Sequence, residues 1–365
     1  MMADPLLFQP FRLRGLEIRN RLWAAPMCQY SADAEGPLTG APNDWHVQHL
    51  GGLGRGGAGL VMVEATAVVP EGRISPNDLG LWNDAQEEAF SRIVTLVRAH
   101  GARIGVQLAH AGRKASTYPA LPGRPGGSVP VSEGGWTTVA PSAVPFTGLA
   151  DPRALTAAEV HETVAAFIAA ADRAVRAGFD AVEVHAAHGY LLHEFLSPLS
   201  NLREDEYGGS PEHRARPLRD IVRGIRAAHP GLPVIVRVSA DEWVEGGFDV
   251  EAAAQLTGWL REDGVDLVDV SSAGNIAEAR IAIGPSYQVR FAERLRREGL
   301  PVGAVGLITS AEQAEAVLAT GQADVVSLAR PLLANPHLPI SWAHRLRAPG
   351  AAELVPPQYR RARFD

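Results

Sequence analysis

The feature that most constrains this chain is a repeated phrase: a helical segment, a glycine, then a short run rich in Val and Ile. The apolar runs fall at 21–27, 59–65, 103–108, 181–186, 233–238, 267–271, 301–306 and 324–328. They are short, β-branched and nearly continuous in their hydrophobicity, which is the pattern of strands buried on both faces. Segments of helical period lie between them at 84–100, 156–177, 211–229, 249–263, 286–298 and 309–320. Thr156 precedes Glu159 at capping-box spacing, Ser210 precedes Pro211, and Thr309 or Ser310 precedes Glu312, all signals of helix starts. Gly101, Gly178, Gly231, Gly264, Gly299 and Gly321 follow helical segments, where a left-handed residue ends a helix. Eight strands alternating with helices predict an α/β fold, a single (β/α)8 TIM barrel. An open doubly wound sheet would carry G-x-G-x-x-G after its first strand, and none is present there.

A barrel uses a chain of 365 residues as one domain, so one domain is expected over 1–365. Residues 111–150 break the rhythm, being rich in Pro, Gly and Ser. A loop this long is usually functional, and it follows the third strand on the face that holds barrel active sites. It reads as a capping loop, and 351–365 reads as a C-terminal tail. The net charge of −7 gives no basis for nucleic-acid binding. A single cysteine, Cys28, cannot staple the chain or hold an iron–sulfur cluster. With no signal peptide and no membrane span in view, a cytoplasmic protein is expected.

Functional residues of a barrel sit at the C-terminal ends of its strands. At strands seven and eight, Gly306 with Thr309 and Ala329 with Arg330 each join a small strand end to a helix start, an arrangement suited to an anion. His185 and His188 end the fourth strand. With no third ligand beside them a metal is not expected; two neutral imidazoles can instead donate to a carbonyl or phenolate oxygen. Tyr190 follows, and a phenol protonated at neutral pH can act as a proton donor. Arg237 lies inside a Val-rich strand and demands an anionic partner. That partner is either a core carboxylate such as Glu64 or Glu183, or negative charge on a reduced cofactor. Gln107 suits the edge of a heteroaromatic ring or a satisfied place in the core. Cys28 can be a small hydrophobe.

The stretches RNRLWAAPMCQYS, GLVMVEATAV, VQLAHAGRK, FDAVEVHAAHGYLLHEFLSPLSNLREDEYGGS, VIVRVSADEW, VGLIT and QYRR follow one another across nearly the whole chain. In them the sequence resembles the Old Yellow Enzyme family of FMN-dependent ene-reductases, in its Cys-containing, thermophilic-like branch. The resemblance implies FMN as cofactor and NADPH or NADH as hydride donor. It implies that Ala25, Pro26, Met27 and Cys28 pass the flavin ring, the thiol tuning its reduction, and that Ala65 and Gln107 touch the ring. Arg237 would stabilise the anionic reduced flavin, and Gly306, Ala329 and Arg330 would lie at the phosphate. His185, His188 and Tyr30 would bind the substrate, an activated alkene, and Tyr190 would protonate it. Arg361 matches an arginine that in this branch can enter a neighbouring subunit's site, so a homodimer or dimer of dimers is implied; Arg360 beside it is the alternative. Relatives often carry glycine where this chain has Ala329. A dihydroorotate-oxidising barrel would share the phosphate site but has no reason to carry the His-x-x-His-Gly-Tyr group.

Overall fold

A computed structural model describes residues 4–364. Eight parallel strands close into a barrel in chain order: β1 (Leu22–Ala24), β2 (Leu60–Ala67), β3 (Arg103–Ala109), β4 (Ala181–Ala186), β5 (Val234–Ser239), β6 (Leu267–Ser271), β7 (Val302–Ala304) and β8 (Val325–Leu328). Around it run α1 (Asp44–Arg55), α2 (Asp84–Ala99), α3 (Ala157–Ala177), α4 (Leu191–Leu196), α5 (Pro211–Ala228), α6 (Val250–Glu262), α7 (Val289–Arg296), α8 (Ala311–Ala319), α9 (Arg330–Ala334) and α10 (Leu338–Arg345). The fold is the (β/α)8 barrel that the alternating pattern predicts. Both faces of each strand are covered, which is why the runs are mainly apolar. Outward residues such as Val61, Val63, Val182, Val184, Val234 and Val236 join the main core shared with the helices.

The inward residues change character along the barrel axis. At the strand starts Leu60, Ile235, Leu267 and Val325 form an apolar plug with Leu13 and Ile18. Those two come from an antiparallel hairpin, Phe11–Leu13 with Leu16–Ile18, which closes that end. Two residues further along, the same inward row reads Glu183, Arg237, Asp269 and Ser327, all buried. One more step gives His185, Ser239 and Ser271. A strand period of two therefore places polar chemistry at one end of the barrel only.

Capping follows the sequence signals with one choice resolved. Thr156 and Glu159 form the reciprocal capping box of α3, and Ser210 accepts from the His213 N–H at the start of α5. Ser310, not Thr309, caps α8 by accepting from the Gln313 N–H. The sequence reading missed α1, because Gly51, Gly52 and Gly54 look like a loop. Its start is held by an Asn43–His46 capping box. Its glycines admit α2 closely: a Cβ at Gly51 would meet Leu96 at 2.9 Å and one at Gly54 would meet Val97 at 3.1 Å. The short α4, α9 and α10 are not among the predicted helices, and β1 leaves the ladder at Ala24, sooner than the predicted 27. The loop 111–150 contains two short helical turns, at Gly112–Lys114 and Val131–Glu133. It is pinned by a two-residue pairing of Val139–Ala140 with Arg153–Ala154 and by Trp136 Nε1, which donates to Glu71 O at 2.8 Å. No helix among the described residues is long and apolar enough to cross a membrane.

Candidate active site

Three aromatic rings converge at the top of β4. The His185 and His188 rings are 5.2 Å apart and nearly perpendicular, and the His185 and Tyr190 rings are 5.1 Å apart. His185 Nδ1 accepts from the Ala187 N–H at 3.3 Å. Burial, with Arg237 as the next contribution, holds its pKa well below the usual histidine range. A neutral ring whose Nδ1 accepts carries its proton on Nε2, so His185 is a fixed donor. His188 is likewise kept neutral, first by burial, and its Nε2 lies 2.8 Å from Ser271 Oγ. Burial pushes the Tyr190 phenol upward, so it is protonated at neutral pH.

The turn that presents these rings is tightly built. His188 has φ +61°, and its N–H donates to Ser239 Oγ at 2.9 Å. Gly189 has no room for a side chain, since a Cβ would lie 2.2 Å from Gly274 O; a Cβ at Gly274 would in turn meet His188 Cα at 2.5 Å. The turns after β4 and β6 thus touch backbone to backbone. Lys114 Nζ ties them by donating to His188 O at 2.8 Å and Gly274 O at 2.9 Å, and it sits 5.1 Å from the centre of the Tyr190 ring. Below, His193 Nδ1 accepts from the Gly189 N–H at 2.9 Å, while its Nε2 lies 3.2 Å from Glu242 Oε1. The sequence reading gave no role to Lys114, His193 or Glu242. The signal was present, as all three lie inside the quoted motifs.

Arg237 pairs with neither of the carboxylates expected. Its Nε lies 3.0 Å from Asp269 Oδ2, at an angle that leaves Nε without a hydrogen bond. The reason is register: Arg237 and Asp269 are direct neighbours across β5 and β6, whereas Glu183 faces Gln107 across β3 and β4. Gln107 Nε2 donates to Glu183 Oε1 at 2.6 Å, and its carbonyl oxygen has no donor among the described residues. Burial raises both Glu183 and Asp269, so one guanidinium serves two reluctant carboxylates.

Ala25, Pro26, Met27 and Cys28 lead away from the top of β1, with the Ala25 N–H bonded to Leu328 O at 2.9 Å. Ala65 is the register partner of Gln107, so these predicted residues share one rim. Tyr30 lies beyond Cys28 with φ +51°. Beside β1, over the ends of β6, β7 and β8, a cleft of about 410 Å³ is lined by Ser271, Gln288, Gly306, Ser327, Ala329 and Arg330 among others. The N–H groups of Gly306, Leu307, Ala329 and Arg330 reach no acceptor among the described residues. Gly306 has φ +115°, and a Cβ there would meet Gln288 Nε2 at 2.8 Å. Thr309 lines the same cleft, as expected, although its N–H is already bonded to Gln313 Oε1. Cys28, Glu64 and Asp78, from three separate segments, bring their sulfur and carboxylate oxygens within 4.8 Å of one another. Arg361 is exposed; its neighbour Tyr359 packs against Arg55 and His337 on the outer helices, so the tail is held away from the rings of β4.

A parallel barrel with this polar mouth and anion cleft is the framework of an NAD(P)H-dependent flavin oxidoreductase using FMN. The chain belongs to the NADH:flavin oxidoreductase / NADH oxidase family, whose model matches residues 6–348, and its solved neighbours include Old Yellow Enzyme homologues. It is 47% identical over 360 residues to an NADPH dehydrogenase of Geobacillus thermodenitrificans, covering 98% of each chain. It is 44% identical to the NADPH dehydrogenase of Bacillus pumilus, covering 93% of this chain and 95% of that one. Among solved structures, morphinone reductase superposes with a TM-score of 0.77 at 31% identity, over 95% of this chain and 91% of the other. The old yellow enzyme homologue from Zymomonas mobilis gives 0.76 at 29% identity, over 94% of each chain.

Proposed function

We propose that this protein is an ene-reductase, taking hydride from NADPH or NADH and saturating activated C=C bonds of α,β-unsaturated carbonyl or nitro compounds. The observation that carries the reading is the convergence of a fixed Nε2–H donor on His185, a second neutral imidazole on His188 and a protonated phenol on Tyr190. The residues fit FMN: unbonded N–H groups at Gly306, Ala329 and Arg330 suit a phosphate, and the free carbonyl of Gln107 beside Arg237 suits a pyrimidine edge. Bound there, FMN supplies two-electron transfer between the nicotinamide and the alkene. Ala25 through Cys28 and Ala65 would line its ring, and Arg237 would offset negative charge on it. His185 and His188 hold the substrate oxygen and draw electron density from the β-carbon. Tyr190 gives its proton to the α-carbon, and Tyr30 closes the substrate side. No carboxylate has to titrate for this cycle.

The test is spectroscopic. Purified protein should be yellow and release free FMN on acid precipitation. Without oxygen, NADPH should bleach the colour and 2-cyclohexenone should restore it. Colourless protein that FMN cannot reconstitute would overturn the cofactor assignment; bleaching with no recovery by any enone or nitroalkene would overturn the substrate class.

Arg361 is exposed and the tail packs through Tyr359 on Arg55 and His337, which favours a second copy as the source of the arginine that the family resemblance implies. We place the protein in the cytoplasm as a homodimer or dimer of dimers, with Arg361 or Arg360 crossing. Deleting 358–365 should raise KM for the alkene and leave bleaching by NADPH intact. A monomer in sedimentation with unchanged kinetics after the deletion would refute the crossing.

A further inference from the structure

Cys28 is a half-buried residue on the rim of the proposed site, and that site is proposed to take Michael acceptors. A thiolate is the form that adds to such alkenes. In that addition the sulfur bonds to the β-carbon, the π pair moves to the α-carbon, and that carbon takes a proton from water, leaving a dead thioether. No oxidant is needed, so only the protonation state and reach of the sulfur stand against it.

The surroundings of the sulfur are unusual. Glu64, 4% exposed, and Asp78, 1% exposed, crowd it within 4.8 Å. Glu64 Oε2 accepts from the Gln29 N–H at 2.7 Å. Its Oε1 lies 3.6 Å from His46 Nε2 without a hydrogen bond. Asp78 Oδ2 is held by the Ser75 N–H, but Asp78 Oδ1 is buried with no partner. The other groups facing this cluster are few. Arg237 from β5 and the Ala65 N–H from β2 favour a charged sulfur, and Arg73 favours a charged Asp78. Tyr30 and Tyr190 stand by as neutral phenols. His46 and His49 of α1 are kept neutral chiefly by burial. Three acids therefore share a site that can hold little negative charge, and protons must stay on it.

We propose that Glu64 and Asp78 are positioning residues that hold Cys28 as a thiol and so keep it from being alkylated by the alkenes this enzyme reduces. The choice of electrophile rests on the ene-reductase reading; the electrostatics do not. Burial and the two carboxylates push the Cys28 thiol upward, in keeping with this role.

The test uses the holoenzyme without nicotinamide and exploits the single cysteine: any adduct seen by intact mass reports on Cys28, with Cys28→Ala as blank. The probes are N-ethylmaleimide, a Michael acceptor, and iodoacetamide, which alkylates by displacement. Wild-type protein should resist both near neutral pH and react only in strong alkali. The Glu64→Gln/Asp78→Asn pair should react about tenfold faster or more with each probe, its pH profile moved to lower pH, since loss of a nearby like charge favours the anion. Asp78→Asn alone retains an oxygen for Ser75 and serves if the pair loses flavin. Equal rates and profiles in wild type and variants would overturn the proposal. So would a thiol inert in every variant at every pH, which would make the protection steric. Faster reaction with iodoacetamide alone would also overturn it, because no alkene would then be excluded. Failure of the ene-reductase reading shows elsewhere, as no recovery of colour with 2-cyclohexenone.

Discussion

Changing Tyr190 to phenylalanine should leave bleaching by NADPH nearly intact and slow recovery of the colour by 2-cyclohexenone by about 10²–10⁴. The asymmetry comes from proton demand. Moving hydride from the nicotinamide needs no proton on a substrate carbon, whereas saturating an enone does. The substitution removes only the phenolic oxygen, and the ring keeps its perpendicular contact with His185 and its place beside Lys114. Nitroalkenes should suffer less, because a nitronate is stable enough to leave and take its proton from water. Rapid mixing separates the two halves. Equal slowing of both would make Tyr190 a wall of the pocket, and no slowing of either would send the proton through water or another group.

The second large effect is expected at the imidazole pair. A phenol should give a long-wavelength charge-transfer band with the oxidised enzyme, and replacing both His185 and His188 by alanine should abolish that band while FMN stays bound. Each hydrogen bond to a charged oxygen contributes about 1.5–3 kcal/mol, so phenolate affinity should fall by about two orders of magnitude or more. A band that survives in the double variant would remove the pair from the oxygen site. The pair should also leave a pH signature on stability. Both rings titrate below their unfolded value of about 6.5, so below that pH the unfolded chain binds protons that the folded one refuses. Stability is then lost as pH falls, and the acid-side loss should shrink in the double variant. Thermal unfolding as a function of pH reads this directly; identical acid-side slopes would mean that other groups set the slope.

The order of strands along the chain was legible because a strand packed against helices needs apolar, β-branched residues along its outward face, as at Val182 and Val184 or Val234, Val236 and Val238. The candidate residues were legible for a related reason: His185, Gln107 and Arg237 are polar interruptions at the ends of those runs. Helix α1 was not, since its glycines are chosen for the approach of Leu96 and Val97, residues some forty positions away in sequence. The short turn helix α4 was hidden by the motif that contains it.

What the sequence by itself determined is local: which runs must be strands, which glycines end helices, and which strand ends carry His185, His188, Tyr190 and Arg330. What only the tertiary structure decided is pairing across the barrel. The partner of Arg237 is Asp269 rather than Glu64 or Glu183, because register between adjacent strands, not residue type, chooses neighbours. The capping of α8 by Ser310 and Gln313 commits the Thr309 N–H, whereas the N–H groups of Gly306, Leu307, Ala329 and Arg330 reach no acceptor among the described residues. The gathering of Cys28, Glu64 and Asp78 depends on three segments folding against one another, and a charge in a buried site is governed by what surrounds it in space, which no spacing along the chain records.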